Sequence, residues 1–289
     1  MRAGSSPVIR TNRKIKNALI EQELITIKIF PITDVHSHFP EAMSALDSAG
    51  FDKNNPEHLL LILGDLLDRG DYPRECLEFV NSVERKVCIR GNHEDLLEDA
   101  IYRGTFYSHD HHNGTFKTAM ILGAKDMQFD SWADILENTS NHPEWVKYRD
   151  SLVDYYETEN YVFVHGWIPD FAEGEDWRKG DWSSARWKNG MKCWNNGERL
   201  EGKTIICGHY HTPYGHALIH KDGIDIDKFN VVCEVCSREQ LEEYRKLLKF
   251  TPFFDEGIIA LDSCVAYSKF INCVPIEDNL LEGDKYVSN

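Results

Sequence analysis

The chain has 289 residues, 42% of them hydrophobic and 28% charged, which is ample to bury a full core as one large domain or two small ones. Its formal net charge of −16 argues against nucleic acid as a routine partner, because a phosphate backbone calls for a basic footprint. Small phosphorylated ligands stay open, since bound divalent cations reverse the local sign.

No run approaches the roughly 18 apolar residues of a membrane span, and residues 1–20 lack the apolar centre of a signal peptide. The expectation is a cytoplasmic protein with no membrane partner. The eight cysteines are spread along the chain, several inside apolar runs, as buried thiols in a reducing compartment do. Cys233 and Cys236 form a lone C-x-x-C without the second pair of a zinc ribbon.

Residues 1–23 are polar and locally basic and are expected to be a flexible extension, with a single domain over 24–289. Leu24 to Val35 is apolar and β-branched and predicts the first strand. Pro31 within it points to an edge or a bulge. The strand delivers Asp34, His36 and His38. Pro40 to Ala49 predicts a helix with proline at its start and Gly50 at its end.

Leu59 to Leu63 and Lys86 to Ile89 read as buried strands, each running into glycine: G64-D-L-L-D-R-G70 after the first, R90-G-N-H-E94 after the second. Between them Pro73 to Val83 has a helical apolar face, and Glu94 to Tyr102 predicts another helix whose amino end points N–H groups at the turn. The alternation implies a sheet covered by helices.

Residues 104–158 are aromatic and mostly helical in pattern (Trp132 to Glu137, Pro143 to Tyr156) and are expected to be an inserted helical cap. His109, His111 and His112 sit in what reads as a solvated loop. Tyr161 to Val164 predicts a strand leading to His165. After it Trp177, Trp182, Trp187 and Trp194 either line a substrate groove or pack beneath a long loop. Lys203 to Cys207 predicts a strand ending in G208-H-Y-H211. Residues 222–250 form a second insertion with a capping box at Ser237 and a helix through Leu248. Gly257 to Asp262 and Phe270 to Ile276 predict a closing hairpin at a sheet edge.

Strand ends thus deliver Asp34, His36, Asp65, Asn92, His165, His209 and His211, which are oxygen and imidazole donors without thiolate. One carboxylate, most naturally Asp65, could hold two cations roughly 3.5–4 Å apart, and a water between them would lose a proton near neutral pH.

GDLLDRG, RGNHE, the V-H-G at His165 and the C-G-H at His209 resemble the blocks of the calcineurin-like metallophosphoesterase superfamily, and within it the bacterial and phage relatives of phosphoprotein phosphatases. The likeness spans residues 34–262. It implies a sandwich of two facing mixed β-sheets flanked by helices, in the α/β class. It further implies that Asp34 and His36 bind one metal, that Asp65 bridges, and that Asn92, His165 and His209 bind the other. His211 would complete the first metal if the G-H-x-H form applies.

By the same resemblance His93 protonates the leaving oxygen, Asp68 orients its ring, and Arg69 grips the phosphate, with Arg186 as a second phosphate arginine. Thr33 and Ser37 depart from the family, which usually has glycine at both places. The implied cofactors are two divalent ions, manganese first, with iron, zinc or nickel as alternatives. The implied reaction is phosphate monoester hydrolysis of the serine/threonine protein phosphatase type by a bridging hydroxide. Hydrolysis of dinucleoside polyphosphates such as diadenosine tetraphosphate shares every ligand. A non-catalytic metal-binding scaffold is the reading from another class. Substrates would be a phosphorylated protein, a small phosphorylated metabolite or a nucleotide.

Overall fold

The computed structural model describes residues 26–125, 130–172, 174–220 and 248–281. The extension at 1–23, the pair Cys233 and Cys236, and the Ser237 helix lie outside these residues.

In chain order the elements are β1 (Thr26–Ile32), α1 (Phe39–Ala49), β2 (His58–Leu63), α2 (Pro73–Ser82), β3 (Lys86–Ile89) and α3 (Asn92–Arg103). Next come α4 (Ser108–Asn113), α5 (Thr115–Gly123), α6 (Trp132–Ser140), α7 (Pro143–Arg149), β4 (Leu152–Val153), β5 (Tyr156–Glu157) and β6 (Tyr161–Phe163). The chain closes with α8 (Trp182–Ala185), α9 (Gly190–Asn195), β7 (Thr204–Cys207), α10 (Pro213–His220), β8 (Phe253–Asp255), β9 (Ile258–Ala260), α11 (Val265–Ser268) and β10 (Ile276–Asn279).

Two five-stranded sheets result, ordered β10-β1-β2-β3-β4 and β5-β6-β7-β9-β8. Alternation along each strand explains how they face one another. Ile27, Ile29, Leu59, Leu61, Leu63, Val87 and Ile89 point inward and meet Tyr156, Phe163, Ile206 and Leu261 of the second sheet. The opposite residues, Phe30, Ile32, Leu60, Ile62 and Cys88, pack under the helices α1 to α3 and α5 to α7. On the far face Val162, Val164, Ile205 and Ala260 are covered by Trp167, Trp177, Trp182 and Met191. Covering on both sides is why β2 reads as an unbroken apolar run.

Four sequence expectations change. β1 is not an edge strand: it pairs with both β2 and β10. The Lys28 N–H bonds Glu57 on the β2 side, so by alternation Pro31 faces β10, whose pairing ends at Ile29, and its missing N–H leaves no gap. The helix begun at Pro143 stops at Arg149, because Leu152 and Val153 pair with β3 while Tyr156 and Glu157 pair with β6. Residues 104–158 therefore supply an edge strand to each sheet besides their helices. The closing hairpin is β8 with β9, whereas β10 returns to the first sheet beside β1. The loop expected at His109 to His112 is the short helix α4. Among the described residues no helix is long and apolar enough to cross a membrane.

Candidate metal centre

Strands β1, β2 and β3 run parallel, as do β6, β7 and β9, so the carboxyl ends of each set lie on one edge. The turns leaving those ends carry Asp34 and His36, Asp65 to Arg69, Asn92 and His93, His165, and His209. Seven non-glycine residues there, Asp34, His36, Ser37, Asp65, Asp68, Arg69 and His209, have φ between 47° and 76°. Left-handed backbone costs such residues of order 1–3 kcal/mol each and persists where the surroundings over-determine it.

Asp65 stands at the centre. One of its oxygens, Oδ1, accepts the His93 N–H at 2.9 Å and lies 3.4 Å from His165 Nε2. The other is 3.8 Å from His36 Nε2 and 3.9 Å from His93 Nε2. Two groups of donor atoms close enough to hold a cation share this carboxylate: His36, Asp65 and His93, and Asp65, His165 and His209. Asp34 adds Oδ1 at 4.0 Å from His36 Nε2, while its Oδ2 accepts from Thr33 Oγ1 at 2.6 Å and from the His209 N–H at 2.9 Å. Gly91 allows this crowding, since a Cβ there would fall 2.2 Å from Asp65 Oδ1.

The donor set fits divalent cations on chemical grounds. His165 Nδ1 lies 2.7 Å from the Leu63 carbonyl and His36 Nδ1 lies 3.0 Å from that of Leu67. A carbonyl only accepts, so a neutral ring keeps its proton on Nδ1 and turns a bare Nε2 inward. For His165 that bare nitrogen faces Asn92 Oδ1 at 2.9 Å as well as Asp65. Lone pair against lone pair repels, and a cation between them reverses the sign.

Ionisation tells the same story. Burial, then Asp262, pushes Asp34 up to about 6, and burial drives Asp65 well above the usual carboxylate range. Burial first, then Arg69, holds the His36 ring well below its ordinary value, and burial with His165 does the same to His209.

Beside the centre His93 Nδ1 sits 2.8 Å from Asp68 Oδ2, and its Nε2 lies 3.3 Å from the Arg69 guanidinium. Burial opposes protonation of this ring, but Asp65 and Asp68 outweigh it and raise the His93 pKa. A cavity of about 300 Å³ opens here, lined by Asp34, His36, Asp65, Arg69, Asn92, His93, Asn113, Trp187 and His209 to His211.

Two expected residues are placed differently. Arg186 is not in that lining: its Nε bonds Asp95 and its Nη1 bonds Asp154, each at 2.8 Å. A guanidinium tied between two carboxylates is a clamp on α3, and its forks are engaged there rather than at the cavity. His211 belongs to neither cation group. Its Nδ1 pairs with buried Asp262 at 2.7 Å, and although burial works against it, Asp262 raises its pKa well above the ordinary value. His38 bonds the His36 carbonyl at 2.8 Å and also stands outside both groups. Of the four tryptophans, Trp177 and Trp182 are buried around Tyr155 and Trp194 bonds the Glu256 carbonyl, which leaves Trp187, 50% exposed, at the cavity.

Sequence reading missed Glu94 as more than the last letter of a block. Its carboxylate accepts the N–H of Gly91 (2.8 Å), Asp65 (3.0 Å) and Leu66 (3.0 Å), with Tyr148 Oη at 3.2 Å, and so pins two turns together. The same bond to Gly91 begins α3 two residues ahead of the predicted start, which puts Asn92 and His93 in its first turn. Glu94→Ala would strand three buried N–H groups. We expect a loss of roughly 3 kcal/mol by urea denaturation, and a loss below about 1 kcal/mol would refute this account.

Residues 27–238 match the sequence model of the family described as calcineurin-like phosphoesterase. Among curated proteins, one from Psychromonas ingrahamii named bis(5'-nucleosyl)-tetraphosphatase, symmetrical, is 31% identical over 47% of this chain and 43% of its own length. One of the same name from Aromatoleum aromaticum is 35% identical over 26% of this chain and 28% of its own. The chain thus spans less than half the length of either relative. Among solved structures, a metallophosphoesterase from Sphaerobacter thermophilus is similar with a TM-score of 0.37 and 20% identity, over 64% of this chain and 61% of that one.

Proposed function

Because the chain belongs to the calcineurin-like phosphoesterase family, we propose that this cleft hydrolyses a phosphate ester with water at two divalent cations. The observation that carries this reading is the meeting of proton-free donors on both oxygens of one buried carboxylate, Asp65, beside a histidine held by Asp68.

In this reading Asp34, His36 and Asp65 hold one cation, and Asp65, Asn92, His165 and His209 hold the other. Bound there, the pair supplies Lewis acidity that neutralises phosphoryl oxygens and acidifies a water. Oxygen and imidazole donors without thiolate suit manganese first, then iron or zinc. His93 delivers a proton from Nε2 to the departing oxygen, while Asp68 keeps the ring turned the right way. Arg69, exposed at the cavity mouth, leaves His93 to fork onto the phosphoryl oxygens. Its free thiols among the described residues suit a cytoplasmic setting.

For the substrate we take a nucleoside polyphosphate first. Trp187 lines the cavity and is half exposed, T-shaped against His209 at 6.0 Å, and Tyr210 lies 5.1 Å from the same imidazole. An exposed indole beside a phosphate site can stack on a base. The names of the two curated relatives agree with it. A phosphoprotein is the second reading, supported by the block pattern.

Elemental analysis of purified protein, followed by rates on diadenosine tetraphosphate, a phosphopeptide and p-nitrophenyl phosphate with metals added back, tests both parts. Trp187→Ala should raise KM for the dinucleotide about tenfold more than for p-nitrophenyl phosphate. Equal effects, with faster turnover of the phosphopeptide, would select the protein phosphatase.

A further inference from the structure

We infer that the amino end of α5, with the Gly114 turn before it, is a positioning device for the proton donor: Thr115 and Thr118 fix Asp68 and, through it, the ring of His93. This rests on the role proposed above for His93.

Asp68 Oδ2 accepts from His93 Nδ1 and from Thr115 Oγ1, both at 2.8 Å. The Asp68 N–H donates to Thr118 Oγ1 at 3.0 Å. Thr115 and Thr118 are 0% and 2% exposed, and their spacing of three places both hydroxyls on one face of α5. Between them the two threonines hold the side chain and the main chain of one residue.

The turn lies flat against its target. Gly114 has φ +89°, and a Cβ on it would stand 2.2 Å from the Arg69 nitrogen and 2.8 Å from its Cα. Lys117 closes the far side, bonding the Arg69 carbonyl at 3.2 Å and Asp71 at 2.5 Å. Asp68 and Arg69 both have left-handed backbone, at φ 76° and 59°, which L residues keep only when neighbours enforce it. Behind the turn, Ala119 and Leu122 of α5 are buried in the core with Ile135 and Leu136, so the device has a fixed base.

The geometric consequence is specific. A carboxylate whose sole side-chain partner is the imidazole can pivot about its own axis and carry the ring with it. A second donor on the same oxygen selects one orientation of the carboxylate, which sets the plane of the ring and the direction of Nε2.

Two measurements on the whole chain test this, the first with manganese bound and the second with diamagnetic zinc in its place. First, kcat is compared on p-nitrophenyl phosphate, whose leaving group departs with little protonation, and on an alkyl phosphate, whose leaving group needs a proton. Thr115→Val should lose about tenfold more on the alkyl phosphate than on the aryl one, with metal content unchanged and Thr115→Ser restoring the ratio. Equal losses on both substrates, or none, would overturn the inference. Second, the His93 Nδ1–H resonance in proton NMR should shift or broaden in Thr115→Val and return in Thr115→Ser. An unmoved signal counts against the device whether or not the protein turns over either substrate. Wild-type protein inactive on both esters would instead sink the reading of the site.

Discussion

Asp65→Asn is expected to lower bound metal from two ions per chain toward none and to cut kcat/KM at least about a thousandfold, some 4 kcal/mol. Asparagine keeps an oxygen for the His93 N–H but loses the charge that both cations would share in the proposed site. The stability effect should have the opposite sign without metal. Burial raises the Asp65 pKa well above the unfolded carboxylate value. Its contribution to folding is then fully present below the unfolded value and lost as pH rises through the folded one, so across that window the buried carboxyl costs stability that a neutral side chain would not. Metal-free Asp65→Asn should melt above the metal-free wild type. Added manganese should reverse that order, stabilising wild type by about 2.7 kcal/mol at a hundredfold excess over Kd while leaving the variant unmoved. A variant that still gained stability from manganese would show that the cations do not meet on Asp65.

His93→Ala should separate binding from chemistry. Its ring donates no atom that the proposed ligand set requires, so both metals should stay, while kcat on an alkyl phosphate drops by about 10²–10⁴. The pH profile carries a further check. Asp65 and Asp68 raise the His93 pKa against the effect of burial, so the protonated form reaches beyond its ordinary range and is lost as pH rises through the folded value. Wild type should therefore lose kcat on the alkaline side, and His93→Ala should lack that limb. With cations on Asp65 its pull on the ring weakens, which leaves the 2.8 Å bond to Asp68 as the main support. Retention of full activity, or loss of metal along with it, would remove His93 from the role of proton donor.

Some of this was legible in the chain. Polar turns after apolar runs, bounded by glycine at all but the first, placed Asp34, Asp65, Asn92, His165 and His209 at strand ends, and parallel strands must present those ends on one edge. Leu59 to Leu63 read as a doubly covered strand, and it is buried on both faces. The expectation of no membrane-crossing helix came from run length, which needs no folding to be counted, and among the described residues no helix is long and apolar enough.

Other features depended on who the neighbours are, and no local pattern reports that. Arg186 has the residue type of a phosphate ligand, yet Asp95 and Asp154, 91 and 32 positions away, claim its guanidinium. Residues after Arg149 had helical spacing, yet ladder bonds to β3 and β6 turned them into two short strands. No pattern in the sequence singles out Thr115 and Thr118, yet the fold lays them on Asp68, 47 and 50 positions back. Sequence alone settles which atoms can ligate or move protons, because that is covalent chemistry, and which segments alternate or turn, because that is local sterics. Which oxygen faces which nitrogen is decided by packing between distant segments, where differences of an ångström separate a ligand from a clamp.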